Sequence, residues 1–276
     1  MKFLQKLSGA ALLSAALLFT ACDKDKEIEK VSPAPLPAVS KLCNLSREID
    51  KDNNTDKVYE YDAQNRIIKI SLAFQGDSVL SPYKSYTYNA QGKAAEEIYY
   101  DPDGTVRGKQ LFTYNNLSQL IRIDFQGMST DSYNPSTDHI IIHYNAAGKR
   151  IKAEFYEYTN PNVLAYYYVY TYNQNKIFAA EHDATTTPAT LMRTIEYHFD
   201  NKKSANHALG YLNGIIPDME KHNVIYYNWP ATTREPSNAY SYISYQYDSL
   251  DYPISEVRYP NMGWGPYYAT YEYNCQ

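Results

Sequence analysis

Three observations predict an all-β fold. A tyrosine-and-turn motif recurs at a near-constant interval, apolar and polar residues alternate with period two between the turns, and only one stretch has helix-like content. The expected architecture is an up-and-down antiparallel meander of about 16 strands, curled into a closed or flattened barrel, with one short helical insertion. The motif is clearest at Tyr86-Thr87-Tyr88-Asn89-Ala90-Gln91-Gly92-Lys93. Tyr86 and Tyr88 stand at i and i+2, so on a strand they share one face and Thr87 takes the other. Asn89 suits the first position of a type I turn. Gly92 suits the left-handed residue that closes a three-residue hairpin loop, and Lys93 opens the return strand.

Close copies run through Tyr59-Glu60-Tyr61-Asp62 to Asn65-Arg66, Phe112-Thr113-Tyr114-Asn115 to Ser118-Gln119, and Ile142-His143-Tyr144-Asn145 to Gly148-Lys149. Tyr170-Thr171-Tyr172-Asn173 leads to Asn175-Lys176 with one loop residue fewer, and looser copies end at Phe199, Tyr247 and Tyr273. The second aromatic falls at 61, 88, 114, 144, 172, 199, 247 and 273, giving intervals of 27, 26, 30, 28, 27, 48 and 26. A period of about 27 fits two strands of roughly ten residues with two turns; the 48 is one period plus an insertion of about 21.

In chain order, residues 1–21 read as a targeting segment: Lys2 and Lys6, then an apolar run from Leu7 to Phe19 too short to span a membrane. Phe19-Thr20-Ala21 before Cys22 resembles a bacterial lipoprotein signal, which implies that Cys22 becomes the lipidated first residue of the mature chain. An ordinary cleaved secretory signal is the alternative. Residues 22–40 form a tether, a charged run from Asp23 to Lys30 followed by alternating prolines at 33, 35 and 37. The acidic cluster after Cys22 resembles the surface-export signals of Bacteroidota lipoproteins, with a plain spacer as the other reading.

Residues 41–276 form one repeat-built β domain. Lys41 to Ile49 is the first strand. From Arg66 to Phe74 the alternation puts Ile68, Ile70, Leu72 and Phe74 on one face. Asp101-Pro102-Asp103-Gly104 is a turn, and strands follow at intervals up to Leu191–Phe199. The insertion, 201–221, carries the helix-like stretch Ala205 to Leu212, and strands resume from Asn223 to Cys275. One face of nearly every strand is Tyr, Phe, Ile or Leu, and the other holds Thr, Glu, Lys, Gln and Arg. So many strands cannot lie as a flat sheet with two open edges, and a round ring of that size would hold water. A barrel in water must flatten until its walls touch, or use the insertion as a plug.

If Cys22 is lipidated, Cys43 and Cys275 remain, at the start of the first strand and the end of the last. In an oxidising envelope compartment they would pair and make the edge strands neighbours. Two unrelated thiols on an open sheet is the alternative. With these residues in view, the Tyr-x-Tyr-Asp/Asn turns resemble the YD repeats of Rhs-type proteins, which roll into a β-shell. The signal at Cys22, the repeats at Tyr59, Tyr86, Phe112 and Tyr170, and the closing Tyr271-Glu272-Tyr273-Asn274-Cys275 resemble an uncharacterised family of Bacteroidota lipoproteins with a porin-like fold. That resemblance implies no catalytic residue.

The 31 tyrosines accompany a net charge of only −5 and no basic stripe, so nucleic acid is not an expected partner. His139 and His143, four apart on a strand, lie about 13 Å from each other and cannot share an ion. No nucleophile, phosphate-loop or metal motif is present, so neither a catalytic site nor a cofactor is expected. Asp77-Ser78-Val79 and Asp248-Ser249-Leu250 match a short O-glycosylation pattern. The aromatic cluster Tyr226, Tyr227, Trp229, Trp264, Tyr267 and Tyr268 suits stacking on sugar rings, against the plainer reading that these rings pack the core. The expected function is that of an outer-membrane lipoprotein, on the cell surface or in the periplasm, bound to the membrane by its lipid, with a non-catalytic binding or structural role towards a glycan or an envelope protein. A membrane-embedded barrel is the runner-up, and an envelope hydrolase with unassigned carboxylates comes after it.

Overall fold

The computed structural model describes residues 43–74, 80–127, 137–204, 217, 222–230, 239–260 and 265–275. Sixteen strands run in chain order. The first eight are β1 (Cys43–Asp50), β2 (Thr55–Tyr61), β3 (Ile67–Phe74), β4 (Ser81–Tyr88), β5 (Ala94–Tyr100), β6 (Val106–Tyr114), β7 (Leu120–Gln126) and β8 (Thr137–Tyr144). The second eight are β9 (Arg150–Glu157), β10 (Leu164–Asn173), β11 (Lys176–Asp183), β12 (Thr190–Phe199), β13 (Val224–Trp229), β14 (Ala239–Tyr247), β15 (Pro253–Pro260) and β16 (Tyr267–Cys275). Each pairs antiparallel with its neighbours in sequence, and β1 pairs with β16, so the sheet closes into a barrel. At the seam Cys43 lies opposite Cys275, and the two form a disulfide.

The repeat turns explain why this sequence makes hairpins. Asn89 N–H donates to the Lys93 carbonyl and Gly92 N–H to the Asn89 carbonyl, while the Asn89 side chain accepts from the amides of Gln91 and Lys93. Asp62, Asn115, Asn145 and Asp248 make the same pair of side-chain bonds in their own turns. Gly92 has φ 74°, and its counterparts Asn65, Ser118 and Gly148 have 60°, 60° and 76°. In the shorter β10–β11 loop the left-handed residue is Gln174.

In five repeats the second tyrosine ties one hairpin to the previous one. The hydroxyls of Tyr88, Tyr144, Tyr172 and Tyr273 donate to the carbonyls of Ile67, Leu120, Arg150 and Pro253, each the first residue of the preceding return strand, at 2.5–2.9 Å. Tyr61 does the same to Leu45 on β1. The closing cation of one repeat then covers the next ring: Arg66 stands 4.3 Å over Tyr88 and Lys149 4.9 Å over Tyr172. Tyr144→Phe should therefore cost about 1 kcal/mol by removing one donor from a sheltered carbonyl, read as a shift in the denaturation midpoint.

Much of the inside is filled. Phe155 and Ile195 are fully buried, as are the small residues Ala94, Ala153 and Ala179. An alanine on the inner wall is sealed from solvent when larger side chains lie over it, and the cluster around these three holds Tyr86, Phe112, Phe155, Tyr168 and Ile177. Side chains of β1–β4 and β13–β16 also border one shared space, so the facing walls approach each other there, unlike in round, water-filled barrels of similar strand number.

Bulges recur along the barrel, and two of them bear on the predicted alternation. Glu60 pairs with Lys69 but Tyr61 with Ile67, which leaves Ile68 as the extra residue. Ile67 and Ile70 are consequently buried, while Ile68 and Phe74 are exposed, so the uniform face predicted for Ile68, Ile70, Leu72 and Phe74 is corrected. In β4 a second bulge turns Tyr83 towards the core beside Lys84. The helix expected within 201–221 lies outside the described residues, apart from Asn201–Ser204 and Pro217, which are not helical.

Candidate functional site

Strand alternation divides the aromatic cluster predicted from the last third of the chain. Tyr227 and Trp229 pack against the core, and Tyr267, two residues before buried Ala269, shares that inner face. Tyr226 and Tyr268 face outward, and Trp264 lies outside the described residues. The six residues do not form one surface. What the outer face does hold is a cross-strand row from β12 to β15: His198, Tyr226, Tyr242 and Tyr259 occupy successive register positions. His198 and Tyr226 have ring centroids 4.6 Å apart, and Tyr226 and Tyr242 4.9 Å. Tyr242 and Tyr259 remain 57% and 52% exposed. Tyr242 and Tyr259 escaped notice in the sequence because they belong to different hairpins, and only the register sets them side by side.

The inner face carries something the period-two pattern did not assign to it. Glu and Lys were expected on the solvent side, yet a set of carboxylates and cations points inward with the tyrosines. Lys57 pairs with Glu48 at 2.7 Å, Lys84 with Glu97 at 2.7 Å, Arg193 with Glu181 at 2.6 Å and Arg258 with Glu256 at 3.1 Å. Three of these carboxylates also take a tyrosine hydroxyl: Tyr59 on Glu48 at 2.9 Å, Tyr86 on Glu97 at 2.9 Å and Tyr168 on Glu181 at 3.2 Å. Tyr245, whose hydroxyl donates to the Val224 carbonyl at 3.4 Å, and Tyr271 lie within electrostatic reach of Glu256. Burial first, and the neighbouring carboxylates second, hold these phenols well above their ordinary pKa, so they remain donors.

This network is the physical reason that charge can sit inside. A carboxylate removed from water is tolerated when a cation and hydroxyls satisfy it. Glu181→Ala should cost about 3 kcal/mol, because it strips Arg193 and Tyr168 of their shared acceptor in a buried place. The exposed outer pair Glu60–Lys69 gives the contrast, and Glu60→Ala should shift the denaturation midpoint by under about 1 kcal/mol.

Among these side chains lies a cavity of about 370 Å³. Glu48, Lys57, Tyr59 and Tyr271 line it from β1, β2 and β16, Tyr83 and Lys84 from β4, and Glu256 and Arg258 from β15. Val224 at the start of β13, Ile70 of β3 and Ile243 of β14 line it as well. β4 and β13 are seven positions apart around the sixteen-strand ring, nearly as far as two strands can be, yet they share this space. His139 stacks on Tyr156 and His143 bonds Glu154, each separately on the outer face. Among the described residues no group of three or more His, Cys, Asp or Glu could hold a metal ion.

The fold is similar to that of a porin-like protein from Bacteroides uniformis ATCC 8492, with a TM-score of 0.50 and 13% identity over 85% of this chain and 96% of that one. A porin-like protein from Bacteroides vulgatus ATCC 8482 aligns over 84% of this chain and 99% of that one, at a TM-score of 0.42 and 8% identity. The Photorhabdus luminescens Tc holotoxin pore aligns over 74% of this chain and 12% of that one, at a TM-score of 0.29 and 11% identity. No family model matches the chain, and no curated protein does.

Proposed function

We propose that this protein is a lipid-anchored lipoprotein of the bacterial envelope, tethered through Cys22, whose barrel stands in water and has a non-catalytic binding or structural role. The observation that carries this reading is the outer face. Ion pairs sit along it at intervals from β1 to β12: Arg47 with Asp56, Glu60 with Lys69 at 3.1 Å, Glu96 with Lys109 at 3.4 Å, Lys152 with Glu154 at 2.6 Å and Lys176 with Glu196 at 3.1 Å. A barrel embedded in lipid needs an apolar outer band, and each Lys or Arg at mid-bilayer depth would cost roughly 2–4 kcal/mol. Pairs spread around the ring therefore favour water over the embedded alternative. The porin-like label of the structural neighbours is compatible with an envelope location, but a filled interior favours holding a ligand over passing solutes.

The inward carboxylates are engaged by cations and phenols, which favours binding over hydrolysis. The row Tyr226, Tyr242 and Tyr259 offers ring faces of the kind that stack on sugars, with a glycan of the cell surface as the partner it suits best. The anchor is tested by expressing a Cys22→Ser variant. It should leave the membrane fraction without detergent as a folded monomer, whereas the parent stays with the membrane. A variant that needs detergent to remain folded would return the reading to an embedded barrel.

A further inference from the structure

The geometry points to the internal cavity as a binding site for a small carboxylate with a hydroxylated ring, the chemistry of a uronic acid. The inference rests neither on the lipid anchor nor on the outer tyrosine row. Its first support is an imbalance between donors and acceptors on the lining. Both oxygens of Glu48 are engaged, Oε1 by Lys57 and Oε2 by Tyr59. Glu256 accepts from Arg258 at Oε1. The cations are far less committed. Among the described residues the Arg258 guanidinium, with five N–H groups, donates only from Nη2 to Glu256, and Lys57, with three, only to Glu48. A ligand entering this space meets more spare donors than spare acceptors, which favours one that brings acceptor oxygens.

The second support is where the uncommitted donors sit. The Arg258 side chain keeps 41% of its surface accessible although its Glu256 partner keeps only 10%. Nε of Arg258 is buried, so the accessible part of the side chain lies elsewhere on it, and Arg258 and Glu256 both border the open space. Guanidinium is the group best matched to a planar carboxylate, and the ammonium of Lys57 lines the same space.

The third support is the rest of the wall. Tyr59, Tyr83 and Tyr271 present ring faces and hydroxyls, and Ile70, Val224 and Ile243 provide an apolar side. A ring with one polar edge and a carboxylate fits such a wall better than a bare inorganic anion, which would leave the apolar side bare. The volume is at the small end of ligand pockets, which suits a single ring.

The test is calorimetric titration of the purified protein with glucuronate and, in parallel, with glucose. Glucuronate should bind at one site per chain and roughly tenfold or more tighter than glucose, because only it carries the carboxylate. Arg258→Gln should weaken glucuronate about tenfold or more and leave glucose little changed, while Arg258→Lys should fall between. Thermal unfolding of both variants checks the fold, and the two-ligand comparison on the parent protein stands even if a variant fails to fold. No glucuronate binding, equal affinity for the two sugars, or glucuronate binding indifferent to Arg258 in a folded variant would each overturn the proposal.

Discussion

Raising the pH from 10 to 11 should unfold this protein cooperatively. Tyr59, Tyr86, Tyr168, Tyr170, Tyr197, Tyr245 and Tyr271 are held well above the ordinary phenol pKa of 10.0, first by burial and, for most of them, next by a nearby carboxylate. A raised folded-state pKa means that the stability these groups contribute is whole below pH 10. It is lost as the pH climbs past the unfolded value, because only the unfolded chain can then release its protons. At pH 11 each group favours the unfolded chain by roughly 1.4 kcal/mol, so seven together amount to about 10 kcal/mol, comparable with the whole stability of a domain. Tyrosinate absorbance and loss of the β circular-dichroism signal should therefore rise together in one steep transition. A gradual phenol titration centred near pH 10 with the fold retained would show that these rings are not buried.

Opening the Cys43–Cys275 bridge should cost roughly 5 kcal/mol. The bond joins residues separated by 232 positions, and closing so long a loop restricts the unfolded chain more than a short loop would. The native barrel should survive the loss, because β1 and β16 remain paired along their length from Asn44–Asn274 to Asp50–Ala269. A Cys43→Ser, Cys275→Ser variant should thus keep the same β spectrum and unfold at a much lower denaturant concentration. An unchanged midpoint would mean that the two chain ends are not joined in the folded protein.

Much of the fold was legible because the repeat is written with residues whose backbone preferences are strong. Asn89, Gly92 and their counterparts set the turns, and period-two alternation between turns set the strands. The number of strands then followed from counting periods, and closure from the difficulty of leaving two edges open. The inner charges were not legible. Alternation separates two faces but does not say which charged residues go with the tyrosines, and Glu97 or Arg193 read as solvent-facing until the neighbouring strand is in register. Bulges added a second obstacle, since one extra residue at Ile68 or Tyr83 exchanges the faces for part of a strand. The aromatic cluster failed for the same reason. Tyr226 and Tyr227 are adjacent in the chain and lie on opposite sides of the wall, whereas Tyr226, Tyr242 and Tyr259 are far apart in the chain and adjacent in space.

The central claim is that tandem tyrosine hairpins close on themselves and fill their own interior without help from lipid. Amide hydrogen exchange, resolved by residue on the protein released without detergent, tests it most directly. The amides that link β1 to β16, around Ile49 and Thr270, should be as protected as those between β8 and β9, around Ile142 and Ala153. Fast exchange along β1 and β16 beside a protected β8–β9 pair would reveal an open sheet with two free edges.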